Sequence, residues 1–192
     1  DIEVVEIPVD GSTRFQPTAA ILDRLDVPLD GLIVASPSNP TGSMLGAAEF
    51  RSLADWCRSK SVRLISDEIY HGLTYGQTPV TALQLDADAI IINSFSKYFS
   101  MTGWRLGWMI LPEDLSRAVE CLTQNFFISP PTLAQIAAAT VFDCYAELNA
   151  NLARYAENRA VLLERLPGAG FEDLAPPDGA FYIYANVAHL TN

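Results

Sequence analysis

Short apolar runs alternate with polar or amphipathic segments along the first 112 residues. Runs of this kind are typical of strands buried on both faces of a sheet. In the stretch 46–60, apolar residues recur on one helical face from Phe50 to Cys57, and Gly46 precedes them as a candidate N-cap. Strands separated by helical crossovers predict an α/β fold with a mainly parallel sheet flanked by helices. The predicted strands are 1–9, 31–36, 62–66, 88–93 and 105–111.

The pattern changes to helices after Pro112. Helical spacing predicts helices over 113–125, 130–145 and 146–166, and Pro167-Gly168 ends the last of them. A Pro-Pro-Asp-Gly turn at 176–179 then precedes an apolar run, 180–185, that predicts another strand. This final unit indicates the beginning of a smaller α+β domain.

The composition is that of a folded chain with an acidic surface. Its 192 residues are 49% hydrophobic by type, which is enough for one sizeable core. The formal net charge of −11 argues against nucleic acid or an anionic membrane as the main partner. There is no secretory signal and no apolar stretch near the roughly 20 residues that span a bilayer, so we expect a cytoplasmic protein. Because the chain begins inside a predicted strand without a methionine, we expect it to be part of a longer one.

The cysteines and histidines do not suggest a metal site. Cys57, Cys121 and Cys144 are odd in number and far apart, which predicts reduced thiols. His71 and His189 stand alone in the sequence, so neither is assigned a ligand role.

Polar clusters follow three of the predicted strands at the point where each strand ends. They occupy residues 36–42, 66–70 and 93–97. In open α/β sheets, ligands bind at the carboxyl ends of the strands. We therefore expect the three clusters to share one crevice.

Lys97 is the more informative of the two lysines in the chain. Lys60 ends a predicted exposed helix, whereas Lys97 follows a buried strand and lies among hydroxyls and aromatic residues. Burial there favours the neutral amine, which is the form that a Schiff-base lysine needs. From the residues alone, an ordinary loop lysine remains the alternative.

Further candidates surround Lys97 in the sequence. Ser94, Ser96 and Arg105 offer two hydroxyl donors and a guanidinium, a set that suits a phosphate group. Pairing of Arg105 with an acidic neighbour is the alternative in so acidic a chain.

Three other polar residues can reach the same crevice. Asp67 ends a predicted buried strand, where a carboxylate needs a cationic or hydrogen-bonding partner, and Tyr70 follows it closely. Asn39 precedes a proline in a turn from which its side chain can face the cleft, although most Asn-Pro pairs are only turns.

Taken together, these strings resemble the class I/II aminotransferases, which depend on pyridoxal 5′-phosphate (PLP) and have fold type I. Their order and spacing match the family, and the resemblance covers nearly the whole chain. The strings are Ser-Asn-Pro-Thr-Gly at 38–42, Asp-Glu-Ile-Tyr at 67–70, Ser-Phe-Ser-Lys at 94–97, Gly-Trp-Arg-Leu-Gly at 103–107 and Pro-Asp-Gly-Ala-Phe-Tyr at 177–182.

The resemblance implies a role for each candidate. Lys97 is implied to form the internal aldimine with PLP and to move the substrate proton. Asp67 is implied to pair with the pyridine nitrogen, which agrees with the need to keep that nitrogen protonated. Asn39 and Tyr70 are implied to bind the 3-oxygen of the ring, with the Asn39–Pro40 bond in the cis form. Ser94, Ser96 and Arg105 are implied to hold the phosphate.

The resemblance also implies a domain organisation. Residues 1–145 are expected to form a PLP-binding large domain that lacks its N-terminal part, 146–166 a connecting helix, and 167–192 the truncated start of the small domain. The aromatic that stacks on the ring and the arginine that binds the substrate carboxylate are expected outside the chain. This piece alone is therefore expected to be inactive.

The function implied is transfer of an amino group from an amino acid to a 2-oxo acid, in the amino acid metabolism of a homodimeric enzyme. The same residues serve C–S β-lyases and related lyases, so that outcome stays open. A PLP-sensing transcription regulator is a third possibility, and a basic helix-turn-helix upstream would distinguish it. The sequence does not name the amino acid.

Overall fold

The computed structural model describes residues 2–190, in which four strands and five α-helices form. The strands are β1 (Gly31–Ala35), β2 (Arg63–Asp67), β3 (Ile90–Ser94) and β4 (Gly107–Ile110), and the α-helices are α1 (Ala19–Leu22), α2 (Ala47–Lys60), α3 (Glu113–Phe126), α4 (Thr132–Thr140) and α5 (Tyr145–Arg165). Short 3-10 helices lie at Gly11–Thr13, Ala82–Gln84, Thr102–Trp104, Val141–Asp143, Pro167–Ala169 and Ala188–Leu190.

The strands form one sheet in the order β1-β2-β3-β4. The pairs β1–β2 and β2–β3 are parallel, and β4 runs antiparallel to β3. The predicted fold class, a mainly parallel sheet flanked by helices, is confirmed. Parallel strands need a crossover connection, and α2 supplies it between β1 and β2.

The main core lies between the sheet and α2. Gly46 is the N-cap of α2, Glu49 lies in the first turn, and Ser61 ends the helix in a left-handed conformation. On its buried face, Phe50 and Leu53 pack with strand residues such as Leu64. Burying one such side chain stabilises a fold by about 1.5–3 kcal/mol. The helix therefore turns the face that carries these apolar residues toward the sheet.

A second core joins the loop after β3 to the C-terminal helices. Phe95 and Met101 pack there against Ala138 of α4 and Leu148 of α5. Lys97 lies between Phe95 and Met101 in the sequence, so this core fixes the ends of the loop that carries it.

The strand predicted over 1–9 is wrong for residues 2–9, which form no strand. Ile2 and Val4 are exposed. An alternating apolar pattern forms a strand only where another strand supplies hydrogen bonds, and no described strand pairs with this segment.

The strand predicted over 180–185 is also wrong. Only two isolated antiparallel bridges form there, Thr74 with Gly179 and Leu174 with Ala185. Ala180 has a left-handed φ of 57°, which interrupts an extended chain. The N–H of Ala180 donates to Leu73 O, and its carbonyl accepts from the Tyr75 hydroxyl. Both backbone groups are therefore hydrogen-bonded to the loop after β2 rather than to a neighbouring strand.

Other strands and helices begin or end a few residues away from their predicted bounds. The strand predicted over 105–111 begins only at Gly107, because Arg105 has a φ of 54° after a 3-10 turn. The helix predicted over 130–145 ends at Thr140 and continues as a 3-10 turn.

The division into domains at 145 and 167 stays a prediction, and its outer ends, Asp1 and Thr191–Asn192, lie outside the described residues. Between residues 2 and 190, no helix has the length and apolar character needed to cross a membrane.

Candidate active site

The strand register places the carboxyl ends of β1, β2 and β3 side by side. Ala35 pairs with Asp67, and Asp67 pairs with Ile92. Ser36 N donates to Asp67 O at 3.3 Å, and Glu68 N donates to Ile92 O at 2.8 Å. The three polar loops therefore leave the sheet at one edge.

The loop after β3 is a closed turn that presents Lys97. Ser100 N donates to Lys97 O at 3.0 Å, and the Thr102 hydroxyl donates to Ser96 O at 2.6 Å. Phe95 N donates to Leu106 O at 3.1 Å, which ties the turn to the start of β4. These bonds hold the backbone on both sides of Lys97.

The Lys97 amine lies against two aromatic rings. Its Nζ is 5.6 Å from the ring centroid of Tyr70 and 5.6 Å from that of Phe181. Among residues 2–190, no carboxylate forms an ion pair with it and no side chain hydrogen-bonds it. The surroundings of the Lys97 amine are therefore aromatic rather than anionic, and no carboxylate of the described residues blocks the covalent attachment of a carbonyl compound to it.

Tyr70 is the buried wall of this site, with only 3% of its surface exposed. Its hydroxyl shares a short hydrogen bond with that of Tyr182, and either oxygen can be the donor. Burial first, then the bond to Tyr182 and the nearby Asp67 charge, raise the pKa of Tyr70. Tyr70 is consequently a neutral phenol at physiological pH and can donate a proton in a hydrogen bond.

Asp67 is the last residue of β2 and is half-buried. Its Oδ1 accepts a hydrogen bond from Ile69 N at 3.0 Å, which orients the carboxylate at the strand end. After burial and the bond to Tyr182, the charge of Asp67 also contributes to the raised pKa of Tyr70.

Ser94, Ser96 and Arg105 come together through the same loop. Ser94 Oγ lies 2.8 Å from Ser96 Oγ and 3.1 Å from Leu106 O, and it accepts from Ser96 N at 3.0 Å. Arg105 is exposed, and its guanidinium donates to Thr102 O at 3.0 Å. It forms no ion pair with an acidic residue in the described part of the chain, so that alternative is not what the structure shows.

Asn39 lies in the loop after β1. The peptide bonds Ser36–Pro37 and Asn39–Pro40 are both cis, as the resemblance implied for the second. The loop closes through bonds from Gly42 N to Ser38 O and from Ser38 N to Ser43 O. The Asn39 side chain is exposed and makes no hydrogen bond to residues 2–190, so its place in the site stays a prediction.

Sequence reasoning assigned no role to Phe181 and Tyr182, which the fold brings to Lys97 and Tyr70. The distance of 112 positions between Tyr70 and Tyr182 leaves no periodic signal. The available signal was the pair of aromatic residues that follows the Pro-Asp-Gly turn after Ala180.

This donor set suits a flat heteroaromatic phosphate ester that carries an aldehyde. The free amine provides covalent attachment, the carboxylate and the phenol can bind polar ring atoms, and the hydroxyls and guanidinium can bind the phosphate. A metal is not suggested, because no group of three or more His, Cys, Asp or Glu among residues 2–190 is arranged to hold one.

Comparison with known proteins is consistent with this geometry. The model of the family "Aminotransferase class I and II" matches residues 1–192. The valine–pyruvate aminotransferase of Mycobacterium tuberculosis is 54% identical over 99% of this chain and 50% of its own length. The aspartate aminotransferase of Geobacillus stearothermophilus is 34% identical over 81% of this chain and 41% of its own length.

Solved structures agree with the sequence relatives. A crystal structure of an aminotransferase from Mycobacterium tuberculosis superimposes with a TM-score of 0.95 at 54% identity, covering 98% of this chain and 50% of that one. A Thermus thermophilus aspartate aminotransferase double mutant gives 0.92 at 28% identity, covering 98% of this chain and 51% of that one. The chain thus spans about half the length of the relatives that it matches.

Proposed function

Because the chain belongs to the aminotransferase class I and II family, we propose that the full-length protein transfers an amino group from an amino acid to a 2-oxo acid with PLP as cofactor. The observation that carries this proposal is the Lys97 amine beside Tyr70, at the edge of the sheet where Asp67 ends β2. Within the described part of the chain, this amine has no ion-pair partner. The identity of 54% to a valine–pyruvate aminotransferase favours valine as the amino donor and pyruvate as the acceptor.

The catalytic roles fall to Lys97, Asp67 and Tyr70. Bound PLP would supply an electron sink for the negative charge that forms when the substrate loses its Cα proton. Lys97 holds the cofactor covalently and moves that proton. Asp67 keeps the proton on the ring nitrogen, and Tyr70 donates a hydrogen bond to the ring oxygen.

The remaining candidates bind the cofactor. Ser94, Ser96 and Arg105 hold the phosphate with two hydroxyls and a guanidinium. That Arg105 pairs with no acidic residue between positions 2 and 190 supports this role. Asn39 binds the ring oxygen together with Tyr70. Its loop leaves the sheet at the edge shared with Asp67, which supports the assignment.

The proposed partner of the protein is a second copy of the same chain. A run of exposed apolar side chains lies where α3 ends and the connection to α4 begins, and it includes Phe126, Phe127 and Ile128. Exposed apolar surface of this kind marks interaction sites on folded proteins.

The two lysines of the chain provide a matched test. We expect Lys97→Ala in the full-length protein to abolish the absorbance band of the lysine-bound cofactor and the label that borohydride reduction leaves on this residue. Lys60→Ala should keep both, because Lys60 is exposed at the end of α2.

The substrates are tested on the same protein. Amino acids are added one at a time, and loss of the band with formation of a 2-oxo acid identifies the donor. If Lys97→Ala kept the band and the transfer of amino groups, the assignment of Lys97 would be wrong. If ammonia were released over repeated turnovers without an amino acceptor, a lyase would replace the aminotransferase.

A further inference from the structure

We propose that Tyr182 is a positioning residue of the site, which donates its hydroxyl proton to Tyr70 and so directs the single proton of Tyr70 to the cofactor. This inference rests on the proposed function. It assigns a part in the chemistry to the segment 177–182, which folds over the strand-end edge from a distant part of the chain.

The first step is the contact itself. The hydroxyls of Tyr70 and Tyr182 share a short hydrogen bond. The rings pack edge to face, with centroids 5.7 Å apart. Tyr70 is buried and Tyr182 half-buried, so little water competes for this bond.

The second step concerns the supply of protons. A tyrosine hydroxyl has one proton to donate and can also accept. Besides burial, the bond to Tyr182 raises the pKa of Tyr70 in the structure, which is the effect of a bond in which Tyr70 is the donor. With the cofactor bound, a Tyr70 that kept this direction would have no proton left for the ring oxygen. If Tyr182 donates to Tyr70 instead, the bond between the two tyrosines and the bond from Tyr70 to the ring oxygen can form together. Hydrogen bonds linked in this way strengthen one another in a site of low dielectric.

The third step is that the segment carrying Tyr182 is fixed from several sides. Asp178 is buried, and its Oδ2 accepts from Arg14 at 2.6 Å and from Met44 N at 3.0 Å. Gly179 N donates to Gly42 O at 2.9 Å, and Ala180 N donates to Leu73 O at 2.8 Å. These contacts join the segment to the loops that follow β1 and β2.

Helix α5 holds the same segment from its other side. Arg159 Nε donates to Pro177 O at 2.7 Å, and Tyr155 stacks on Phe181 with ring centroids 5.7 Å apart. A side chain on so constrained a backbone keeps its direction, as a positioning residue requires.

The close approach of Gly179 shows how tightly the segment is seated. A Cβ at this position would lie 2.5 Å from Pro37 Cγ and 2.8 Å from Leu73 O. Only glycine allows the segment to lie this deep, and this depth brings Tyr182 within reach of Tyr70.

The test uses the full-length protein with PLP and compares Tyr182→Phe with Tyr184→Phe. Phenylalanine keeps the ring packing and removes only the hydroxyl. Tyr184 is exposed, and its ring packs edge to face on Phe15, so loss of its hydroxyl is the matched control. The measured quantity is the apparent pKa of the lysine-bound cofactor, from absorbance spectra recorded across a range of pH.

We expect Tyr182→Phe to raise that apparent pKa by about half a unit to one unit, as the loss of one hydrogen bond in the chain predicts. The physical reason is that a weaker donation from Tyr70 leaves more negative charge on the ring oxygen, which holds the neighbouring proton more tightly. Tyr184→Phe should leave the titration unchanged.

A double variant separates positioning from a direct effect. In the Tyr70→Phe background, Tyr182→Phe should cause no further shift, because the residue that it acts through is gone. An unchanged or lowered apparent pKa in Tyr182→Phe, or an equal shift in both backgrounds, would overturn the inference. The proposed function fails separately, if the band does not depend on Lys97 in the first place.

Discussion

Among single residues near the site, His71 is a half-buried imidazole beside a buried carboxylate. It follows Tyr70 directly, its side chain is 18% exposed, and its Nδ1 lies 3.3 Å from Glu68 Oε2. Glu68 is itself buried, and it accepts from the Ser66 hydroxyl at 3.1 Å and from Ala82 N at 2.8 Å. Burial lowers the pKa of His71, and the opposing attraction of Glu68, the Ser36 backbone and Asp67 does not reverse this.

This environment predicts how stability depends on pH. The unfolded chain takes up a proton on His71 near its ordinary pKa of 6.5, whereas the folded protein resists protonation until a lower pH. The free energy of unfolding should therefore fall as the pH drops below about 6.5 and continue to fall until the folded His71 titrates. Urea unfolding of the full-length protein at several pH values, with and without His71→Gln, measures this contribution.

The second histidine of the chain is the control. His189 is exposed, so His189→Gln should keep the fall in stability that His71→Gln reduces. Equal pH profiles for the wild-type protein and His71→Gln would show that burial of this imidazole does not govern the effect.

Among the elements, the segment 177–182 is held to the rest of the protein in part by the carboxylate of Asp178. Asp178→Asn should lower the free energy of unfolding by about 1–3 kcal/mol, because it removes the charge that Arg14 and Met44 N bind in a buried place. Denaturant titration of the full-length protein gives the value.

Asp55 provides the comparison for Asp178. It pairs with Arg58 at 2.7 Å on the surface of α2, with both side chains more than half exposed. Asp55→Asn should change stability by less than about 0.5 kcal/mol. Similar losses in the two variants would mean that Asp178 acts as an ordinary surface charge.

The elements also show which kinds of structure the sequence could predict. The crossover β1-α2-β2 was predictable, since apolar residues such as Phe50 and Leu53 mark the buried face locally. The strands predicted at 1–9 and 180–185 were wrong, because strand formation depends on a partner that the sequence does not name. The left-handed conformations of Ala180 and Arg105 likewise have no residue signature, as neither is glycine or asparagine.

The same distinction applies to the site. Asp67 and Ser94 end strands, and Ser96 and Lys97 come directly after β3. Parallel strands bring their ends together whatever lies between them. Phe181 and Tyr182 reach Lys97 and Tyr70 through contacts between distant segments, which local patterns do not contain. Tertiary contact of this kind is visible only in the folded chain.

In the molecule as a whole, a sheet face and a helical connection remain apolar and exposed. Ile33, in the middle of β1, has 72% of its surface exposed, and Phe127 in the connection between α3 and α4 has 74%. Isolated apolar residues on a surface are ordinary, but a large contiguous apolar patch marks an interface. A second copy of the chain is the proposed cover of Phe127. Because the chain spans about half the length of its relatives, we expect residues outside 1–192 to cover Ile33.

The last prediction concerns the 192-residue chain produced by itself. We expect it to bind a hydrophobic fluorescent dye strongly and to show no transfer of amino groups, whereas the full-length protein does the opposite. The dye should bind because Ile33 and Phe127 stay exposed in the short chain. The activity should be missing because the arginine that binds the substrate carboxylate is expected outside residues 1–192. Ile33→Thr should reduce dye binding by the short chain, and Ile2→Thr, an exposed residue before the sheet, should not. Transfer of amino groups by the short chain at the rate of the full-length protein would contradict this, since residues 1–192 would then contain all that the reaction needs.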